Sequence, residues 1–282
     1  MPTEENMLAG LKSMELGPME DTHPEDLTEV INVNPDLSPE ERKQIKGLIR
    51  CREKAFATTG NLGRYDAHVH ISLKPGTIPI SLLPYHVSLL KREIIDKQLD
   101  AWLELGIIEL SCSLWGAPVI IVSQKGKNHL CVDWCKLNDV TIPNKFPIPR
   151  QTDIIQALSG SQYMSSFDAL SRFMQLEFDH ESRDKTAFHT HRGLYQFTRM
   201  PFGWRNGLPV FQRVMQEVLT PFLWQFALVC IDNIVVYSTT FVSHIEHLEQ
   251  VLEAIEKANI TLSPPKCHLG YQSLLLLGQK VS

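Results

Sequence analysis

Hydrophobic positions change period several times along this chain. In "SLLKREIIDKQLDAWLELG", apolar residues Ile94, Ile95, Leu99, Trp102 and Leu103 recur at three- and four-residue steps, which predicts an amphipathic helix ending at Gly106. "VSHIEHLEQVLEAIEKAN" repeats that period through Ile245, Leu248, Val251, Leu252 and Ile255. "LSPEERKQIKGLIRCREKAF" carries a start signal, with Ser38 at the N-cap, Pro39 in the first turn and Glu41 three residues after the cap. Further helices are predicted at "QTDIIQAL" and at Gly207–Leu219.

β-branched runs mark the strands. "HVHISL", "APVIIVSQ", "HLCVDW" and "QYMSSFD" read as extended segments, the last ending on Asp168. "KTAFHTHRGLYQFTRM" predicts a hairpin turning near Arg192-Gly193. "ALVCIDNIVVYS" predicts a second hairpin with Asp232-Asn233 at its tip, a pair that suits a turn. Interleaved strands and helices predict an α+β sheet with helices on one face and the acidic strand ends Asp168 and Asp232 on one edge.

Composition narrows the class. The 282 residues are 43% hydrophobic, enough for a sizeable core. The longest apolar runs are too short to span a bilayer, and the acidic start lacks a signal-peptide core, so an intracellular location, cytoplasmic or nuclear, is expected. Six cysteines without a C-x-x-C pair read as reduced thiols. Net charge is −5, unevenly spread: residues 1–48 hold 11 acids against 4 Lys/Arg, and the remainder 21 against 23. Residues 1–60 therefore read as an acidic leader with one helix, flexible to about residue 36, and 61–282 as the folded domain, whose near-neutral charge permits a local basic groove.

Paired aspartates on neighbouring strand ends fit two-metal phosphoryl transfer, though turn chemistry explains Asp232-Asn233 equally well from spacing alone. The order of several stretches adds more. "HVHISLKPGTIPI", "LGIIELSCSLWGAPVIIV", "CVDWCKLNDVTIPNKFPIPR", "SSFDALSRFMQL", "DKTAFHTHRGLYQFTRMPFGWRNG", "VCIDNIVVYS" and "LSPPKCHLGYQSLLLLGQKVS" together resemble the reverse transcriptase of gypsy-class LTR retrotransposon Pol polyproteins. The resemblance implies a right-hand polymerase, fingers and palm, truncated before the thumb, that extends an RNA or DNA template-primer with deoxynucleoside triphosphates and two Mg²⁺ ions. It implies that Asp168 and Asp232 hold the metals and that Asn233 stands where a second hairpin aspartate belongs. It places Lys125, His129, Arg172, Phe173, Gly203 and Lys266 at the nucleotide, with Phe173 as the ring that excludes a ribose 2′-hydroxyl. Leu277 and Gly278 fall in the primer grip.

This sequence departs from that pattern at functional positions. His129 replaces a triphosphate-clamping arginine with a group mostly neutral at pH 7. Cys135 replaces another arginine, Cys230 the hairpin tyrosine, and Arg172 a small residue beside the gate. "NGLPVFQ" shifts a proline by one position. A weakened or inactive polymerase is expected, the alternative being a non-catalytic retroelement remnant that binds nucleic acid or protein, or has no function. Plainer readings stand beside these: Phe173 as core, and His244 and His247 as a polar helix face.

Overall fold

The computed structural model describes residues 27–57, 62–124, 127–147, 149–170, 172–230, 233–276 and 278–281, with backbone alone at Gln124, Lys127, Arg172 and Cys230. Local rules place the helices. At Pro39–Cys51, Ser38 Oγ accepts from the Glu41 amide (3.2 Å), and Glu41 Oε2 accepts from the Ser38 amide (2.9 Å), closing the predicted capping box. Leu89–Glu104 buries Ile95, Leu99 and Trp102. It stops at Gly106, whose φ of 62° lets the Ile107 amide reach back to the Trp102 carbonyl (2.9 Å). Gln151–Leu158 and Gly207–Leu219 span the predicted residues, and the last long helix is Phe241–Lys257.

The strands, in chain order, are β1 (Asn32–Val33), β2 (Tyr65–Val69), β3 (Ile108–Leu110), β4 (Ala117–Gln124), β5 (Lys127–Val132), β6 (Tyr163–Asp168) and β7 (Leu176–Phe178). They continue as β8 (Phe188–Thr190), β9 (Gly193–Phe197), β10 (Ala227–Cys230), β11 (Asn233–Ser238), β12 (His268–Tyr271), β13 (Leu274–Leu276) and β14 (Gln279–Val281). They belong to two compact units.

The first unit comprises residues 66–144 and 173–208. Its sheet runs β3-β9-β8-β4-β5, with β4 parallel to β8 and the other pairs antiparallel. Trp102, Phe188 and Phe197 form its aromatic core, with ring centroids 5.2–6.4 Å apart. Two short helices absent from the sequence reading, Cys135–Val140 after β5 and His180–Arg183 before β8, also belong to this unit.

The second unit comprises the described residues of 21–65, 145–172 and 209–282. Its sheet runs β1-β12-β6-β11-β10, and β1 lies parallel to β12, with Asn32 opposite His268. Residues 27–36, read as part of a flexible leader, are instead built in: Leu27–Val30 is helical, and Asn34 Nδ2 donates to the Gly270 carbonyl (2.9 Å). Strand alternation puts Met164, Ser166 and Asp168 on one face and Ser165 and Phe167 on the other. Met164, Val235 and Tyr237 pack against Ile154, Leu158 and the β13–β14 hairpin. The opposite face carries Phe241–Lys257, so the sheet is covered on both faces rather than on one. Apolar strands such as "NIVVYS" require that, because alternate residues would otherwise expose valine or isoleucine. Among the described residues no helix is long and apolar enough to cross a membrane.

Candidate active site

Asp168 is the last residue of β6, and the ladder sets it directly opposite Asn233, the first residue of β11. Both side chains leave the same sheet face. Asn233 also pairs with Cys230 across the hairpin, so it is a strand residue. Asp232 lies outside the described residues, as do Lys125 and Leu277.

Contacts with the 262–266 segment fix the end of β6. The Asp168 carbonyl accepts from the Ser263 amide (2.8 Å), and the adjoining Ala169 bridges Leu262. The 3₁₀ turn Pro264–Lys266 then carries Lys266 Nζ to 3.9 Å from Asp168 Oδ1. The lysine is about half exposed and the carboxylate a quarter exposed, so this pair supplies local positive charge more than stability. Next to it, burial pushes the Cys267 thiol up to about 12, which keeps it protonated, and its Sγ donates to the Ser263 carbonyl (3.1 Å).

The described donors on this face, a carboxylate and an amide carbonyl, are oxygens, the type a hard cation such as Mg²⁺ takes. Among the described residues no group of three or more His, Cys, Asp or Glu forms a metal cluster, and the histidine pairs His68/His70 and His189/His191 make none.

The hairpin has a support that its sequence did not announce. Gln212, fully buried on the Gly207–Leu219 helix, donates from Nε2 to the Val229 carbonyl (3.0 Å), one residue before Cys230. A polar residue between Phe211 and Val214 on an otherwise apolar face was the available signal.

In the first unit, Phe173 lies in the 3₁₀ turn Arg172–Gln175 and is 7% exposed. Its ring sits 5.1 Å from that of Phe202, and a Cβ on Gly207 would meet it at 3.8 Å. Gly203, next to Phe202, has φ 83°, and a Cβ there would stand 3.1 Å from Trp134 Cδ1. The 202–206 segment is pinned further by Trp134 Nε1 to the Phe202 carbonyl (2.9 Å) and Asn138 Nδ2 to the Gly203 carbonyl (3.0 Å). His129, opposite Val122 in the β4–β5 ladder, is buried and lines a small cavity with Trp102, Trp134 and Phe202. Phe173, Gly203 and His129 thus gather around Phe202 and Trp134. Arg172 is placed by its backbone only.

Gly278 has φ 79° and is exposed in the β13–β14 turn, where Leu276 pairs with Gln279. A two-residue hairpin loop needs such a φ, and glycine adopts it without strain. The hairpin strands pack on the sheet face that carries Asp168. His244, read as part of a polar face, is instead fully buried.

Residues 122–281 match the family described as "Reverse transcriptase (RNA-dependent DNA polymerase)", and the chain belongs to that family. Its relatives are gypsy-type Pol polyproteins. It is 32% identical over 253 residues to the retrovirus-related Pol polyprotein from transposon 297 of Drosophila melanogaster, covering 87% of this chain and 24% of that polyprotein. It is 34% identical over 265 residues to that of transposon opus, covering 89% and 26%. The enzymatic polyprotein of cauliflower mosaic virus (strain CM-1841) is 31% identical over 216 residues, 75% of this chain and 32% of that one. The chain therefore spans about a quarter to a third of the length of these relatives. Among solved structures, a foamy viral protease-reverse transcriptase in complex with RNA/DNA hybrid superposes with TM-score 0.80 at 20% identity, over 94% of this chain and 35% of that one. The fold is that of polymerase fingers and palm.

Proposed function

We propose that this domain keeps the scaffold of an RNA-directed DNA polymerase, binds an RNA or DNA primer-template, and performs nucleotidyl transfer weakly or not at all as written. The observation that carries this reading is the Asp168–Asn233 pair, one carboxylate facing one amide on the sheet face beside Lys266. In this reading Asp168 and Asp232 hold two Mg²⁺ ions, which when bound supply Lewis-acid stabilisation of the phosphoryl charge. Asn233 offers an oxygen without charge, which weakens that hold. Lys266 directs positive charge towards a triphosphate. Phe173 presents an apolar ring that a ribose 2′-hydroxyl would strike and could not hydrogen-bond. Lys125, His129, Arg172 and Gly203 line the nucleotide, and Leu277 and Gly278 the primer end. Losing one preorganised electrostatic contact costs about 10²–10³ in rate, and this chain has changed several.

The second reading, a retroelement remnant that binds without catalysis, is favoured by the same Asn233. Primer extension on an RNA template with Mg²⁺ or Mn²⁺ separates the two, using the native chain, Asn233→Asp and Asp232→Ala. Extension by the native chain but not by Asp232→Ala establishes a working polymerase. Extension only by Asn233→Asp identifies the amide as the lesion. Primer-template binding without extension by either leaves the binding remnant.

A further inference from the structure

A buried chain of polar groups runs across the palm sheet on the face opposite Asp168 and Asn233. The Gly270 amide of β12 donates to Ser165 Oγ (3.0 Å). Ser165 Oγ lies 2.8 Å from His244 Nε2, and His244 Nδ1 lies 3.0 Å from Ser238 Oγ. Ser238 Oγ is in turn 2.8 Å from His247 Nδ1. The His247 ring stacks on Phe226, just before β10, at 3.8 Å and 5°. Ser165 and His244 are fully buried and Ser238 is 5% exposed.

Ser165 belongs to β6 and Ser238 to β11, so one imidazole bonds both strands across their seam. The register there sets Ser165 opposite Val236 and Ser238 opposite Tyr163. Hydrophobic patterning specifies this register poorly, because Ile234, Val235, Val236 and Tyr237 are apolar on both faces. A slip of two residues, about 6.6 Å at strand rise, would keep apolar residues inward on both faces. It would, however, carry Ser238 away from His244 and leave a buried ring nitrogen without its partner.

We propose that His244 is a positioning residue that locks β11 to β6 in register and so holds Asn233 opposite Asp168. Only the catalytic consequence of the lock rests on the polymerase reading; the register itself does not.

Disulfide trapping tests the lock without any need for catalysis. Ser166 and Val235 are directly opposed, whereas Ser166 and Tyr237 are offset by one two-residue slip. Cysteine pairs at 166/235 and 166/237 are oxidised in the otherwise native chain, and the cross-links are mapped by mass spectrometry. The expected result is at least a tenfold preference for the opposed pair. That preference falls severalfold in a His244→Phe background, which fills the space without hydrogen bonds, and recovers in His244→Gln. Ser165→Ala is the milder second variant and also lowers the preference. Retention of the full preference in His244→Phe and Ser165→Ala, with only a lower melting temperature, overturns the proposal and makes His244 an ordinary core residue. Absence of primer extension by both the native chain and Asn233→Asp would sink the catalytic reading and leave the trapping result standing.

Discussion

Asn233 faces Asp168 across the β6–β11 ladder, and Lys266 reaches the same carboxylate at 3.9 Å. The site therefore carries less negative charge at this rung than two aspartates would give it. Asn233→Asp puts two carboxylates directly opposite, which costs about 0.2–1 kcal/mol in a strand pair. The expected outcome is a small drop in melting temperature in EDTA and a larger Mn²⁺-dependent rise than the native chain shows. Thermal denaturation with and without Mn²⁺ reads both, and equal Mn²⁺ responses would count against a metal role for this face.

Burial pushes the His244 imidazole down to about 3, with His247 adding to the effect, and burial lowers His247 as well. Each is held neutral in the folded state, whereas an unfolded histidine titrates near 6.5. Their stabilising contribution is thus complete above about pH 6.5 and is lost as pH falls below it. For His244 alone the slope is up to about 1.4 kcal/mol per pH unit. Urea midpoints measured between pH 7 and 5 are expected to fall for the native chain and to fall less steeply for His244→Phe. The window lies above the carboxylate range, so Glu41, Asp179 and Glu253, whose own values are lowered, do not contribute to it.

Gly270→Ala tests the close approach of β12 to the Pro39–Cys51 helix. Its φ is 72°, and a Cβ would stand 2.8 Å from Leu37 Cδ1 and 3.1 Å from Ile45 Cδ1. Strain and overpacking together predict a loss of about 1–3 kcal/mol. Chemical denaturation checks this, and an unchanged midpoint would mean that the contact relaxes freely.

Phe173→Val removes ring volume from a buried site against Phe202. A loss of about 1–3 kcal/mol in stability is expected from the cavity. If Asn233→Asp extends primers, adding Phe173→Val is expected to raise incorporation of ribonucleotides relative to deoxynucleotides. Single-nucleotide extension assays read that ratio, and an unchanged ratio would assign Phe173 to the core alone.

Helices Gln151–Leu158 and Gly207–Leu219 were legible in the sequence because period and termination signals coincided there. Strand β6 was legible to its last residue, Asp168, for the same kind of reason. The hairpin was legible, but Asn233 was assigned to its tip, because Asn suits a turn as well as Asp does. Pairing with both Cys230 and Asp168 decides the matter, and the second of these partners is remote in sequence. Strand β1 was invisible for a related reason: two residues carry no period, and their partner His268 lies more than two hundred residues away. His244 was misread because its three-residue spacing from His247 looked like a polar helix face. It stands four residues before Leu248 and seven before Val251, on the buried stripe, and that spacing was the missed signal. Gln212 gave a comparable clue.

The β1–β12 pairing bears on where this domain can be cut. A fragment starting at residue 61 would strip β12 of its outer neighbour. The Cys267 and Leu269 carbonyls would lose the Asn32 and Asn34 amides. The pocket that Ile45 and Ile49 fill would open. What remains is a bare sheet edge beside an uncovered apolar surface, the combination that drives chains to stack edge to edge. A recombinant piece beginning near residue 27 should stay in solution, whereas the shorter one should collect in the pellet.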